Sequence, residues 1–173
     1  MIIRRAKDTD AEALAAIHGH YVRNTLITFT TVEKSLRYWQ NRILSDPPVF
    51  VADRAGCILG FGLYDSFRNG PGYAYTAEHS IYLAPDAQGQ GAGRTLLSTV
   101  ETEAGANGIH VLVAGISSAN PVGLKFHAAM GYSETGRLSE VGFKNGQWLD
   151  TIFMQKFLSP GSQVLPDGTD KKG

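Results

Sequence analysis

The segment Gln88-Gly89-Gln90-Gly91-Ala92-Gly93-Arg94 brings together the residue types that a bound anion needs. It follows a stretch with strand character and opens one with helical spacing. Glycines let a backbone turn tightly and approach a ligand without side-chain collision. The free N–H groups of a helix N-terminus point outward, and the helix dipole favours negative charge there. A pyrophosphate suits both features, and Arg94 can add a charge-assisted contact. Two other phosphate loops fail. A Walker loop ends in Gly-Lys-Ser/Thr, whereas Arg94 and Thr95 follow Gly93. A dinucleotide fingerprint reads G-x-G-x-x-G at the start of a βαβ unit, whereas these glycines stand at 89, 91 and 93 in mid-chain. A glycine turn with no ligand satisfies the same residues.

Other reactive groups are scarce. The one cysteine, Cys57, allows no intrachain disulfide and no cysteine-based metal cluster. Between Gly56 and Ile58 it reads as an inert, partly buried thiol. No Ser-His-Asp or Cys-His pattern suggests an enzyme nucleophile, and no metal is expected.

The elements that must hold the glycine loop follow from periodicity. Ile2 to Ala6 reads as a strand. Thr9 with Glu12, then Thr30 with Glu33, form two capping signatures. Leu14, Ile17 and Tyr21 follow the first, and Leu36, Trp39, Ile43 and Leu44 the second, so two helices are predicted, the second stopped by Asp46-Pro47-Pro48. Val49–Ala52 and Ile58–Tyr64 predict strands around a turn at 54–56, and Tyr73–Leu83 predicts another. A helix from about Gly91 buries Leu96, Leu97, Val100 and Ala104 and stops at Gly108. Val111–Ile116 reads as a strand. Asn120 and Pro121 start a last helix that Gly131 closes, and strands near Tyr132–Leu138 and Trp148–Phe157 finish the order. Hairpin-like neighbours predict antiparallel pairing, with one parallel crossover between Ile81 and Ile116. The expected fold is a mixed α/β sheet with one domain over residues 1–158. In 159–173, ordering costs about 1–2 kcal/mol per residue, more than Val164 and Leu165 can return, which predicts a mobile tail.

Among 173 residues, 43% are hydrophobic and 18% charged, as in soluble globular domains. Sixteen basic residues cancel sixteen acidic ones, which argues against nucleic-acid or anionic-membrane partners. The start of the chain lacks the long apolar stretch of a signal peptide, so a cytoplasmic location is expected.

The pattern Gln88-x-x-Gly91-x-Gly93 resembles the acetyl-CoA loop of the GNAT N-acetyltransferase superfamily. Asn120, His127 and Gly131-Tyr132 resemble its later Asn…Tyr-x-x-x-Gly-Phe block, with His127 where tyrosine is usual. Glu78-His79-Ser80-Ile81-Tyr82, His127–Tyr132 and Val141–Asp150 resemble the branch of phosphinothricin and methionine sulfoximine N-acetyltransferases. The resemblance covers residues 2–157. It implies a GNAT-like, mostly antiparallel twisted sheet with helices on both faces, acetyl-CoA as co-substrate, a small-molecule amine as acceptor, and a homodimer.

Residue by residue, it implies that Ile81, Tyr82 and Leu83 bond the pantetheine arm through their backbones. Gln88, Gly89, Gln90, Gly91, Ala92, Gly93 and Arg94 would hold the pyrophosphate, with Asn120 as a further cofactor contact and N-cap. Acyl transfer to an amine needs a base, an oxyanion donor and a stabilised leaving thiolate. Glu78 is the implied base, direct or through water; the blander reading is a carboxylate at a strand end. His127 either donates to sulfur or packs against the pantetheine. His79, on the opposite strand face from Glu78, reads as structural or interfacial. The acceptor pocket is expected from Thr28, Phe29 and Thr30 and from the Arg68–Tyr75 loop. Arg68 suits an acceptor carboxylate, and Tyr73 and Tyr75 are either hydroxyl donors or plain strand aromatics. The branch often has an arginine four residues before the glutamate, where this chain has Ala74. Trp39, Phe67 and Trp148 predict a closed aromatic site. The alternatives are a peptide or protein N-acetyltransferase and a non-catalytic acyl-CoA sensor.

Overall fold

In the computed structural model, which describes residues 1–158, strand signals and helix signals sort into one sheet covered on both faces. Strands β1 (Ile2–Arg5), β2 (Phe50–Arg54), β3 (Cys57–Ser66) and β4 (Thr76–Leu83) each pair antiparallel with the next. Strands β5 (Val111–Ser117), β6 (Ser133–Lys144) and β7 (Gln147–Phe157) extend the order as β4-β5-β7-β6. Only β4 with β5 is parallel among the described strands, as the crossover predicts.

That parallel join is short. It registers Thr76 with Val111, Ala77 with Leu112 and Glu78 with Val113. Beyond Glu78, β4 continues against β3 as far as Leu83, while β5 continues against β7 as far as Ser117. The strands therefore part in mid-sheet and leave a wedge whose apex is Glu78.

Side-chain alternation decides what each helix covers. Helices α1 (Ala11–Asn24) and α2 (Leu36–Ile43) pack Leu14, Ile17, Tyr21 and Trp39 on Val49, Val51 and Phe61. Helix α3 (Ala92–Ala106) buries Leu96, Leu97, Val100 and Ala104 on the opposite face, against Ala52, Ala77, Leu112 and Ala114. Each fully buried leucine there contributes about 1.5–3 kcal/mol. Helix α4 (Pro121–Ala129) starts as predicted: Asn120 Oδ1 accepts from the Gly123 N–H at 2.8 Å.

Several local expectations are corrected. Helix α2 is capped by Ser35, whose Oγ accepts from Tyr38 N at 3.1 Å, because Glu33 is drawn away to Arg23 of α1. Helix α1 begins at Ala11 after a single 3-10 turn over Asp8–Asp10. Asp10, rather than Thr9, closes that turn, accepting from Lys7 N at 2.7 Å and from Arg4. Tyr73 is not in a strand: Pro71–Tyr73 forms a 3-10 turn after Gly70, and β4 starts only at Thr76. Strand β6 runs on to Lys144 through two register shifts. Cys57 is exposed at the start of β3, where the turn carries it out of the core. The expected tail at 159–173 lies outside the described residues.

Candidate active site

The glycine loop leaves free backbone donors at a helix start. Pro85–Ala87 forms a 3-10 turn, after which Gln88 to Gly91 stand exposed before α3. Gly91 takes φ of 82° and caps the helix in the left-handed conformation, and Gly89 takes φ of 74°. A Cβ at either position would meet no heavy atom within 4 Å, so backbone conformation, not crowding, calls for glycine. The first-turn N–H groups at Ala92, Gly93 and Arg94 have no intrahelical partners by helix geometry. Gly93 is packed, with Leu83 and Phe126 at 3.4 and 3.6 Å from where a Cβ would stand. Gln90 donates to the Asp86 carbonyl at 2.7 Å, and the Tyr21 hydroxyl donates to the Leu83 carbonyl at 2.8 Å. Donors, an open approach and the adjoining strand wedge fit an elongated pyrophosphate-bearing cofactor.

A cleft of about 490 Å³ opens on the α1/α2 side of the wedge. Ile27, Thr28, Phe29 and Thr30 form one wall, Phe67 and Arg68 another, and Gly115, Ser117, Thr151 and Phe153 the floor. Glu78 and the Tyr82 ring project into it from β4. No hydrogen bond is formed by the Glu78 carboxylate among the described residues, and burial pushes it above the usual carboxylate range. Gly115 makes room for it: a Cβ there would lie 2.7 Å from Glu78 Oε1. The Arg68 guanidinium lies 5.3 Å from the Phe67 ring centroid and is exposed at the rim.

His79, the next residue along β4, points the other way. It is 5% exposed, and its ring centroid lies 5.2 Å from His127 and 5.4 Å from Tyr132. Burial, then the neighbouring His127, pushes it down to about 3. His127 Nδ1 donates to the Gly123 carbonyl at 2.7 Å, and burial lowers its imidazole as well.

The expected site residues therefore divide. Glu78, Phe29, Thr30 and Arg68 meet in the cleft, together with Tyr82, whose side chain faces the acceptor side. Ile81 and Leu83 turn their side chains toward α3. Gln88 to Arg94 and Asn120 gather at the N-termini of α3 and α4. Tyr73 and Tyr75 do not line the cleft; the turn at Gly70-Pro71 leaves them 44% and 41% exposed. Of the three aromatics expected to close the site, only Phe67 lines it. Trp39 is core, edge-on to Phe61, and Trp148 is 63% exposed on β7 beside Phe143.

Sequence reasoning missed the pieces that fix the cleft wall. Buried Lys144 donates to the Thr28 carbonyl at 2.8 Å, and Ser117 Oγ to the Leu26 carbonyl at 2.7 Å. Gly142 is the flat seat on which the Phe29 ring rests. A glycine and a lysine two apart on a strand, Gly142 and Lys144, were the only local signal. No group of His, Cys, Asp and Glu among the described residues is placed to hold a metal, and no helix among them is long and apolar enough to cross a membrane.

Comparison with known proteins agrees with this geometry. The Acetyltransferase (GNAT) family matches residues 14–132. The chain is 40% identical to the L-amino acid N-acyltransferase MnaT of Escherichia coli over 159 residues, 90% of this chain and 92% of that protein. It is 37% identical to the L-methionine sulfoximine/L-methionine sulfone acetyltransferase of Salmonella typhimurium over 171 residues, 96% and 99% of the two chains. A phosphinothricin acetyltransferase from Sinorhizobium meliloti, solved in complex with acetyl-CoA, superposes with a TM-score of 0.87 at 31% identity, covering 97% of this chain and 96% of that one.

Proposed function

The chain belongs to the acetyltransferase (GNAT) family and is an acetyl-CoA-dependent N-acetyltransferase, and from that premise we propose that its acceptor is the α-amino group of a small amino acid analogue of the methionine sulfoximine or phosphinothricin kind. The observation that carries this reading is Glu78, an unpartnered and half-buried carboxylate at the apex of the strand wedge, facing a cleft sized for a small molecule.

Acetyl-CoA supplies the activated acetyl group. Gln88 to Arg94 hold its pyrophosphate through first-turn N–H groups and the helix dipole, while the Ile81–Leu83 backbone and Asn120 line its arm. Glu78 takes the proton from the acceptor's ammonium, directly or through one water; the neutral amine attacks the thioester carbonyl without an enzyme nucleophile, the C–S bond breaks, and the amine's second proton ends on the CoA thiolate that leaves. Two features support direct attack: the floor hydroxyl of Ser117 is already committed to Leu26, and Cys57 lies at a distant turn. Arg68 meets the acceptor's carboxylate at the rim. Ala74 stands where the branch often carries an arginine, so among the described cleft residues Arg68 is the cation that answers that charge.

Residues 1–158 act as one catalytic domain, in the cytoplasm, as a homodimer. Leu138, Val141 and Phe143 of the edge strand β6, with Trp148, are each about half exposed or more, which supports self-association there. Light scattering reads the dimer directly.

Thiol release from acetyl-CoA tests the function, with methionine sulfoximine, methionine sulfone, phosphinothricin and ordinary amino acids as acceptors. Turnover confined to the sulfur and phosphinic analogues is the expected result. Acetyl-CoA binding without turnover on any acceptor would replace it with the sensor reading.

A further inference from the structure

Seven buried side-chain nitrogen and oxygen atoms lack a protein partner among the described residues, and five belong to one cluster. They are His79 Nδ1 and Nε2, His127 Nε2, Tyr132 Oη and Glu101 Oε1. The His79, His127 and Tyr132 rings form a triangle, with centroid separations of 5.2, 5.3 and 5.4 Å. Glu101 of α3 adjoins the Tyr132 hydroxyl, and its other oxygen binds Lys156 Nζ of β7 at 2.8 Å. Lys156 in turn lies 5.7 Å from the Tyr132 ring centroid. The Tyr132 hydroxyl and Glu101 lie close enough to answer each other, which leaves the two His79 nitrogens and His127 Nε2; an isolated orphan of this kind costs about 1–3 kcal/mol, so orphans on two facing rings call for a shared partner.

The donor and acceptor inventory identifies that partner. His127 Nδ1 carries its proton to the Gly123 carbonyl, so the neutral ring presents a lone pair at Nε2. A neutral His79 offers one N–H and one lone pair, Tyr132 an O–H, and Glu101 an acceptor. The two imidazoles face each other at 32°, a geometry in which neither nitrogen points at the other ring's edge. A water that accepts from a His79 N–H and donates to His127 Nε2 and to Glu101 has three partners, within the usual two to four.

We propose that His79, His127, Tyr132 and Glu101 enclose a site for one internal water, and that Tyr132 and Glu101 are positioning residues that act through it to hold His127 as a hydrogen-bond acceptor at Nε2. His127 is then an oriented neutral ring and is not the acid toward the leaving sulfur. The inference depends on His127 lying at the site, not on the identity of the acceptor. The groups that face His127 are His79 from β4, Glu101 from α3, Lys156 from β7 and Tyr132 after α4.

The test is nitrogen NMR of the full chain labelled at histidine, with no substrate present, so its failure is separate from any failure of turnover. The unmodified protein is expected to show His127 protonated at Nδ1 and titrating below the ordinary histidine value, with cross-relaxation from a long-lived water to the His79 or His127 ring protons. Tyr132→Phe should shift the His127 Nε2 resonance toward that of a free lone pair and raise its titration midpoint. Glu101→Gln should move the midpoint the other way, since that carboxylate favours the cation. A His127 proton found on Nε2 would overturn the proposal. So would absence of the water signal in the unmodified protein, which needs no variant to fold, or identical His127 spectra in both variants.

Discussion

Glu78 and His79 are consecutive residues on β4, and the same physical cause acts on them with opposite results. Desolvation raises the carboxylate and lowers the imidazole. The faces differ in access. Glu78 looks into an open cleft where a proton can arrive and leave, and its raised affinity suits the base we propose. His79 is sealed between α4 and the sheet, so its lowered affinity keeps it uncharged and structural. One strand thus separates an accessible titrating group from a sealed one by the alternation of its side chains.

Replacing the carboxylate tests this contrast most severely. Glu78→Gln should lower kcat/KM by about 10²–10⁴-fold in the thiol-release assay while leaving the melting temperature unchanged or higher. In the unmodified enzyme the base form is lost as pH falls through the raised Glu78 value. The acid limb of kcat/KM should therefore lie above the ordinary carboxylate range, and the Gln variant should lack it.

Gly115→Ala sharpens the same point without touching a titrating group. The added methyl needs the space of Glu78 Oε1, and the displaced carboxylate should lower kcat by about 10²-fold. Binding of acetyl-CoA, measured by calorimetry, should be nearly unchanged.

On the sealed face the readout is stability. His79 has a folded-state value of about 3, below the ordinary 6.5, so the unfolded chain binds more protons between them. Its contribution is complete above the ordinary value and is lost progressively as pH falls toward about 3. Urea unfolding should show that decline, on the order of a few kcal/mol, and His79→Leu should flatten it. An unchanged slope in the variant would break the contrast.

Arg68→Ala should have the smallest effect, about a tenfold rise in KM for acceptors bearing a carboxylate and little change for simple amines. Steady-state kinetics on paired acceptors would measure it.

The glycine loop and the two helix starts beside it were legible because their signals are local: glycines two apart, a helix start, an Asn-Pro cap. The order of elements and the single crossover were readable for the same reason. The cleft was not, because its wall joins residues remote in sequence. Lys144 reaches Thr28 across 116 positions, and Phe29 rests on Gly142. Tyr73 and Tyr75 misled because aromatic, strand-like residues were outweighed by the Gly70-Pro71 turn before them. The distinction between Glu78 and His79 followed from strand alternation alone, but Tyr132 and Glu101 beside His79 come from other elements.

The parting of β4 from β5 also bears on how the protein survives in solution. Past Glu78 and Val113, these two neighbours no longer complete each other's ladder. A ligand whose amides fill that wedge acts as a missing strand, and its free energy of binding is added to that of folding. At a concentration one hundred times its Kd, such a ligand adds about 2.7 kcal/mol. Thermal melts with and without CoA should separate accordingly, and depletion of the cofactor would leave the protein more open to heat and proteolysis.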